Sequence, residues 1–175
     1  MIDIIKLITT WIVCLGIRLI PFRPANVEPI LASAMPVSKR YGSIVSVLFA
    51  VSGMALYDLL TGTVGVWSLV TIATYGLLTL AASLYFKNRE ASRTRFVAFS
   101  IVSTLMYDGI TGLAMGPILF HQTFLQALIG QVPFTVSHLI GNALLAALVS
   151  PLLLSWLGAK DSLFVLSPNK NPLKA

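Results

Sequence analysis

The chain consists of long apolar runs separated by short polar loops, and this pattern restricts its possible folds more than any other feature. Of its 175 residues, 57% are hydrophobic and only 10% are charged, whereas a soluble domain carries about 25% charged residues. Inside a bilayer every backbone polar group must be satisfied internally, and helices achieve this within a single segment. The sequence therefore predicts an all-α membrane protein.

We predict a six-helix bundle with one short helix and one irregular outer segment. The second run is too short to cross a hydrocarbon layer of about 30 Å. Residues 113–131 are expected to form a long loop with a re-entrant or interfacial turn, and Pro133 is expected in the first turn of the last helix. The predicted helices cover residues 4–20, 27–37, 41–60, 65–86, 96–111 and 133–157.

These helices are expected to form a single transmembrane domain over residues 1–158, followed by a polar cytoplasmic tail over 159–175. The first run is expected to stay as a helix, because its early Asp3 and Lys6 and its lack of a small-residue cleavage site do not fit a signal peptide.

The lysines and arginines predict how the bundle is oriented. With a cytoplasmic N-terminus, the inner segments hold ten of the twelve basic residues and the outer segments hold Arg18 and Arg23. Such an excess marks the cytoplasmic side, so both termini are expected there, in a prokaryotic plasma membrane. Because the basic residues lie in short loops, we interpret the net charge of +6 as a topology signal and not as a nucleic-acid site.

A short motif, Y-D-x-x-T-G, occurs twice at the outer ends of predicted helices. It covers residues 57–62 and again 107–112. An aspartate at the end of an apolar run is costly and calls for a reason. Asp58 and Asp108 could each cap a turn near the following glycine, or the two carboxylates could bind a cationic or hydrogen-bond-donating ligand at the mouth of a pocket.

Other polar and aromatic residues are predicted on the same outer side. His138 and Asn142 are four residues apart and share one face of the last helix, which favours contact with a ligand or another helix. Tyr107 and Trp67 could stack on a ring or anchor the protein at the interface. His121 lies in the outer loop, where a solvated role is an equal alternative.

Familiar catalytic and metal-binding patterns do not occur in the sequence. It contains no H-x-x-x-H or E-x-x-H spacing, so no metal site is predicted. It contains no G-x-S-x-G, and no serine or cysteine has an evident base beside it. The single cysteine, Cys14, excludes a disulfide within the chain.

Several segments together resemble the substrate-binding S components of energy-coupling factor (ECF) transporters. These are residues 23–30 (R-P-A-N-V-E-P-I), the second motif at 107–112, residues 131–135 (Q-V-P-F-T) and residues 138–142 (H-L-I-G-N). The similarity extends over roughly residues 5–157, with six helices in a suitable order.

This resemblance implies a small membrane protein that captures a vitamin or related micronutrient at the outer face, without a cofactor or chemical change. It implies a transmembrane coupling subunit and two ATPase subunits as partners, and no ATP site in this chain. Substrate-binding candidates under the resemblance are Asn26, Glu28, Asp58, Trp67, Tyr107, Asp108, His121, His138 and Asn142. The small residues Gly42, Ser46 and Ala50 are either a docking stripe or ordinary packing inside the bundle.

Two other functions stay open at this point. The chain could be an integral membrane enzyme in which the histidines meet the two aspartates, or an assembly subunit whose outer polar residues only connect helices. Convergence of those side chains would favour an enzyme. The absence of a cavity at the outer face would favour an assembly subunit.

Overall fold

The computed structural model describes residues 2–21 and 28–158, and within them every regular element is a helix. The described residues form five helical elements: α1 (Ile2–Leu19), α2 (Pro29–Thr61), α3 (Val66–Lys87), α4 (Arg93–Phe120) and α5 (Phe124–Trp156). This confirms the all-α prediction, and the four elements α2 to α5 are long and apolar enough to cross a membrane.

Helix α2 folds back on itself at Gly42. The backbone of Gly42 has φ 81° and ψ −173°, which lies in a region that residues with a Cβ rarely adopt. The side chain of Ile30 lies 3.0 Å from the Cβ position of Gly53, although a straight helix would separate residues 30 and 53 by about 35 Å. The two arms, residues 29–41 and 43–61, are therefore antiparallel.

The predicted six-helix count is not confirmed, because the short helix and the helix after it join through Gly42 into one element. The first arm of α2 lies inside the bundle, where residues 29–38 are all buried. Cys14 of α1 lies 3.0 Å from the Ser33 hydroxyl, and Ser150 of α5 donates to the Ala32 carbonyl at 2.7 Å. This arm is the packing centre for the surrounding helices.

The two copies of Y-D-x-x-T-G have different structures. The first copy ends α2, and Gly62 takes a left-handed conformation with φ 68°. The second copy was expected to end its helix, and that prediction is wrong. The chain continues as a π-helical segment, Gly109–Ala114, and then as α-helix Met115–Phe120. A Cβ on Gly112 would lie 1.8 Å from Gln131 Oε1, so glycine here admits a side chain from α5 instead of forming a turn.

The long outer loop predicted over residues 113–131 is also wrong. Helix α4 runs to Phe120, and α5 starts at Phe124 after only three residues. Thr123 starts α5 because its hydroxyl accepts the Gln126 amide at 3.3 Å, while Gln126 Oε1 accepts the Thr123 amide at 2.8 Å. This reciprocal capping is a strong helix start, and it leaves Pro133 inside α5 instead of at its first turn.

Basic side chains close the end of the bundle that lies opposite the turn between α4 and α5. Lys39 donates to the carbonyls of Phe86 and Arg89 at 3.2 and 2.8 Å, and Arg40 donates to the Leu157 carbonyl at 3.2 Å. Cations at helix C-termini satisfy free carbonyls and complement the helix dipole. We call this the basic end. The predicted tail, 159–175, lies outside the described residues.

Candidate functional site

A hydrogen-bonded Asp108–His138 pair lies at the end of the bundle opposite the basic end. Asp108 Oδ1 is 2.8 Å from His138 Nδ1, and both side chains are buried. One helical turn further into the bundle, Asn142 Nδ2 donates to Thr104 Oγ1 at 2.9 Å. Helices α4 and α5 thus meet through two polar pairs, so His138 and Asn142 both contact another helix.

Aromatic rings surround the histidine of this pair. The Tyr107 and Phe134 rings meet the His138 ring edge to face, with centroid distances of 5.7 and 5.5 Å. Tyr75 of α3 packs in the same way on Tyr107 at 5.1 Å. Such T-shaped contacts are favourable geometries for aromatic rings. They also fix the orientation of the imidazole.

A second ionic pair joins α1 to the start of α2. Arg18 Nη1 donates to Glu28 Oε2, and the same nitrogen lies 3.0 Å from Met54 Sδ. The guanidinium also lies over the Tyr57 ring, 4.1 Å from its centroid. Glu28 Oε1 accepts the Ile30 amide at 3.1 Å, so the carboxylate caps α2 as well. Arg18, which was counted above only for the orientation of the bundle, is therefore a buried cation that connects α1 to α2.

The two pairs belong to one group of ionisable residues. Arg18 of the Arg18–Glu28 pair lies over the Tyr57 ring, His138 contacts the Tyr107 ring, and Asp58 directly follows Tyr57 in α2. We call Arg18, Glu28, Asp58, Asp108 and His138 the carboxylate cluster. A charged group buried in a membrane protein needs a partner, and Arg18 has the Glu28 carboxylate beside it. The cluster contains three acids and only one permanent cation.

Two acceptor oxygens of this site have no hydrogen-bond partner among the described residues. They are Asp108 Oδ2 and Asn142 Oδ1, and both are fully buried. A buried polar atom without a partner costs about 1–3 kcal/mol, so such atoms in a folded protein call for an explanation. Their position beside the aromatic rings makes this part of the cluster the best candidate for binding a donor.

Asp58 lies in the cluster, although its motif forms a turn. The turn at Gly62 is closed by backbone carbonyls, since the Thr63 amide donates to the Asp58 carbonyl at 3.0 Å and the Gly62 amide donates to that of Leu59 at 3.4 Å. The Asp58 side chain is buried. Asp108 bonds His138 and its helix continues, so the predicted capping role does not apply to the second copy.

Two predicted residues, Trp67 and His121, are not brought into the cluster. Trp67 is 43% exposed and packs over Gly65 at the start of α3. His121 is exposed in the short turn between α4 and α5, with φ 53°. Asn26 lies outside the described residues. Among the residues the structure describes, no three His, Cys, Asp or Glu side chains form a group that could hold a metal ion.

Two residues of the predicted docking stripe lie inside the protein. Both Ser46 and Ala50 are fully buried, and Ala50 packs in the hydrophobic cluster that joins the two α2 arms. These two residues therefore serve packing within this chain. Gly42 forms the α2 turn and is partly exposed.

Sequence reasoning missed Arg18 and Tyr75 as members of this site. Arg18 carried a usable signal, because an arginine at the end of an apolar run needs a buried acid or an aqueous surface. Tyr75 resembles an interfacial anchor, and only the fold shows that it packs against Tyr107 at 3% exposure.

A pocket of about 260 Å³ lies between α4 and α5 and is bordered by Asp108, Gly109, Gln131 and Thr135 among mostly apolar residues. A second pocket of about 300 Å³ lies further along the same helices and is lined by Gly112, Gln122, Gln126 and Gln131 among others.

Comparison with protein-family models, curated proteins and solved structures finds no match to this chain.

Proposed function

We propose that this chain is the membrane-embedded substrate-capture subunit of an ECF-type importer. In this proposal it binds a small vitamin-like or nitrogen-heterocyclic micronutrient at the carboxylate cluster. The observation that carries the proposal is the pair of unpartnered buried acceptors, Asp108 Oδ2 and Asn142 Oδ1. A bound N–H or O–H donor would satisfy them, and the surrounding rings would hold a flat molecule.

The composition of the cluster favours a ligand that is rich in donors or positively charged. The cluster holds three carboxylates, of which Glu28 bonds Arg18 and Asp108 bonds His138. Binding sites of this kind combine apolar walls with a few well-placed polar groups. Tyr75, Tyr107 and Phe134 would supply such walls.

The importer assignment further requires partners. The sequence lacks the phosphate-binding pattern G-x-x-x-x-G-K-[ST], so transport energy would come from two ATPase subunits through a transmembrane coupling subunit. The four membrane-length helices are compatible with this role, which we assign to a prokaryotic plasma membrane with both termini cytoplasmic.

Thermal unfolding of the purified protein with a panel of vitamins and heterocyclic precursors tests this function. A true ligand at 100 times its Kd should raise Tm by about 5–10 °C. Asn142→Ala and Asp108→Asn should remove most of that shift. Ser52→Ala, which changes a hydroxyl in the groove between α1 and α2, should retain it. A panel without any stabilising compound would count against ligand capture.

A membrane enzyme is the second candidate, because the Asp108–His138 geometry also suits a general base oriented by a carboxylate. Incubation of the protein with the stabilising compound distinguishes the two functions. An importer subunit returns the compound unchanged, whereas an enzyme yields a product that His138→Gln abolishes.

A further inference from the structure

Unpartnered polar atoms are concentrated in one part of the bundle. In the described residues, five buried side-chain nitrogen or oxygen atoms have no hydrogen-bond partner, and four of them belong to α3, α4 and α5. The four atoms are Thr79 Oγ1, Ser100 Oγ, Asp108 Oδ2 and Asn142 Oδ1. Two of them have no place in the ligand site described above.

The helix register places these residues in one column. The pairs Asp108–His138 and Thr104–Asn142 show that α4 and α5 are antiparallel. Moving back four residues along α4 corresponds to moving forward four residues along α5. The next step places Ser100 beside Ala146, whose methyl group offers no hydrogen bond. The column from Asp108 to Ser100 is about 12 Å long.

Helix α3 completes the column on another side. The ring contacts Tyr75–Tyr107 and Phe86–Phe96 show that α3 and α4 are antiparallel. Their common register places Thr79 level with Ser103, within one turn of Ser100 on α4. Thr79 and Ser100 are 0% and 1% exposed. Their hydroxyls therefore face the interior of the bundle.

These two hydroxyls differ from the other helical hydroxyls of the chain. Thr74 donates to the Val70 carbonyl at 2.7 Å, and Ser46 donates to the Gly42 carbonyl at 2.8 Å, four residues back in each case. This local bond is the usual way for serine and threonine to be satisfied in a helix interior. Thr79 and Ser100 make no such bond, so their hydroxyls require a partner in the space between the helices.

The two ends of the column differ. At one end Asp108 borders the 260 Å³ pocket between α4 and α5. Beyond Ser100, the rings of Phe86, Phe96 and Phe99 pack at centroid distances of 5.0 and 5.6 Å. The polar lining thus begins at the carboxylate cluster and stops at an aromatic plug.

We propose that α3, α4, α5 and the first arm of α2 enclose bound water molecules beside Thr79 and Ser100, in a space closed by the aromatic plug. Water is the ligand that fits, because it accepts from hydroxyls and because buried water typically satisfies such atoms. The plug keeps this water from forming a channel across the membrane.

Matched hydroxyl deletions in the full-length protein test this inference. Thr79→Val and Ser100→Ala remove hydroxyls that the water would bond, whereas Thr74→Val and Ser46→Ala remove hydroxyls that bond their own helix. The proposal of bound water predicts that Thr79→Val and Ser100→Ala each lower Tm by about 2–6 °C more than their controls. Equal or higher Tm values would overturn it, because deletion of a dry, unpartnered hydroxyl relieves a cost.

An experimental structure at a resolution that shows ordered water provides the second measurement, and it decides the question if a variant does not fold. The expected result is water density within hydrogen-bond distance of Thr79 Oγ1 and Ser100 Oγ. Close protein packing around both atoms, without such density, would overturn the proposal. Neither result depends on the micronutrient, so the inference can fail while the proposed function survives.

Discussion

At the scale of single residues, Arg18 and Glu28 form a buried pair of opposite charges. Removal of one partner from a buried pair leaves an uncompensated charge and costs about 3–5 kcal/mol. Glu28→Gln should therefore destabilise the protein strongly, because Arg18 is buried beside Glu28. Asp3→Asn is the matched control. Asp3 lies 3.5 Å from Arg40 in an exposed pair, which contributes less than about 1 kcal/mol. Similar Tm values for the two variants would contradict this difference.

The two histidines of the chain offer a second comparison at this scale. His138→Ala leaves Asp108 buried without its partner, and we expect a loss of about 2–3 kcal/mol. His121→Ala changes an exposed side chain and should alter stability by less than about 0.5 kcal/mol. Thermal unfolding followed by a thiol-reactive dye can measure both, because the only cysteine, Cys14, is buried until the protein unfolds. Equal losses would argue against a buried Asp108–His138 bond.

At the scale of elements, the turn inside α2 depends on one glycine. A Cβ at residue 42 would meet no atom within 4 Å, but the backbone φ of 81° would be strained. Gly42→Ala should therefore cost about 1–2 kcal/mol. Gly16→Ala should be neutral or stabilising by up to about 1 kcal/mol, because Gly16 is in regular helix with the same open space. A stable Gly42→Ala variant in chemical denaturation would contradict the positive-φ turn.

The same scale shows where sequence reasoning succeeded and where it failed. The position of a long apolar helix depends mainly on local composition. The predicted start and end of α3 therefore agree with the structure to within one residue. The two Y-D-x-x-T-G copies are nearly identical locally, yet only the first ends a helix. The difference comes from Gln131, which approaches Gly112 from a different helix, and no local pattern contains that contact.

At the scale of the whole molecule, Lys39 and Arg40 lie at one end of the described bundle, and the buried acids lie with Arg18 at the other. If the positive-inside bias sets the topology, a cysteine at Asn88 should react with a membrane-impermeant thiol reagent only from the cytoplasmic side. A cysteine at Thr63 should react only from outside. Both are made in a Cys14→Ser background and labelled in intact cells and in inverted vesicles. The opposite labelling pattern would reverse the orientation.

The carboxylate cluster was predicted only in part, because it is assembled from helices that are distant in sequence. Asp108, His138 and Asn142 could be picked out from the sequence, because polar residues within long apolar runs are rare. The partners of Glu28 could not be derived in this way. Arg18 reaches Glu28 only because α1 packs against α2, and Tyr57 joins them only because α2 turns back at Gly42.

Native mass spectrometry of the protein purified from its own membranes is the decisive experiment on ligand capture. The proposed function predicts one small molecule bound at a 1:1 ratio to the parent protein and to Ser52→Ala. It also predicts loss of that molecule from Asn142→Ala and Asp108→Asn, with both variants folded. An unliganded parent protein that also fails to bind any panel compound would contradict it, as would a ligand whose occupancy is the same in all four proteins.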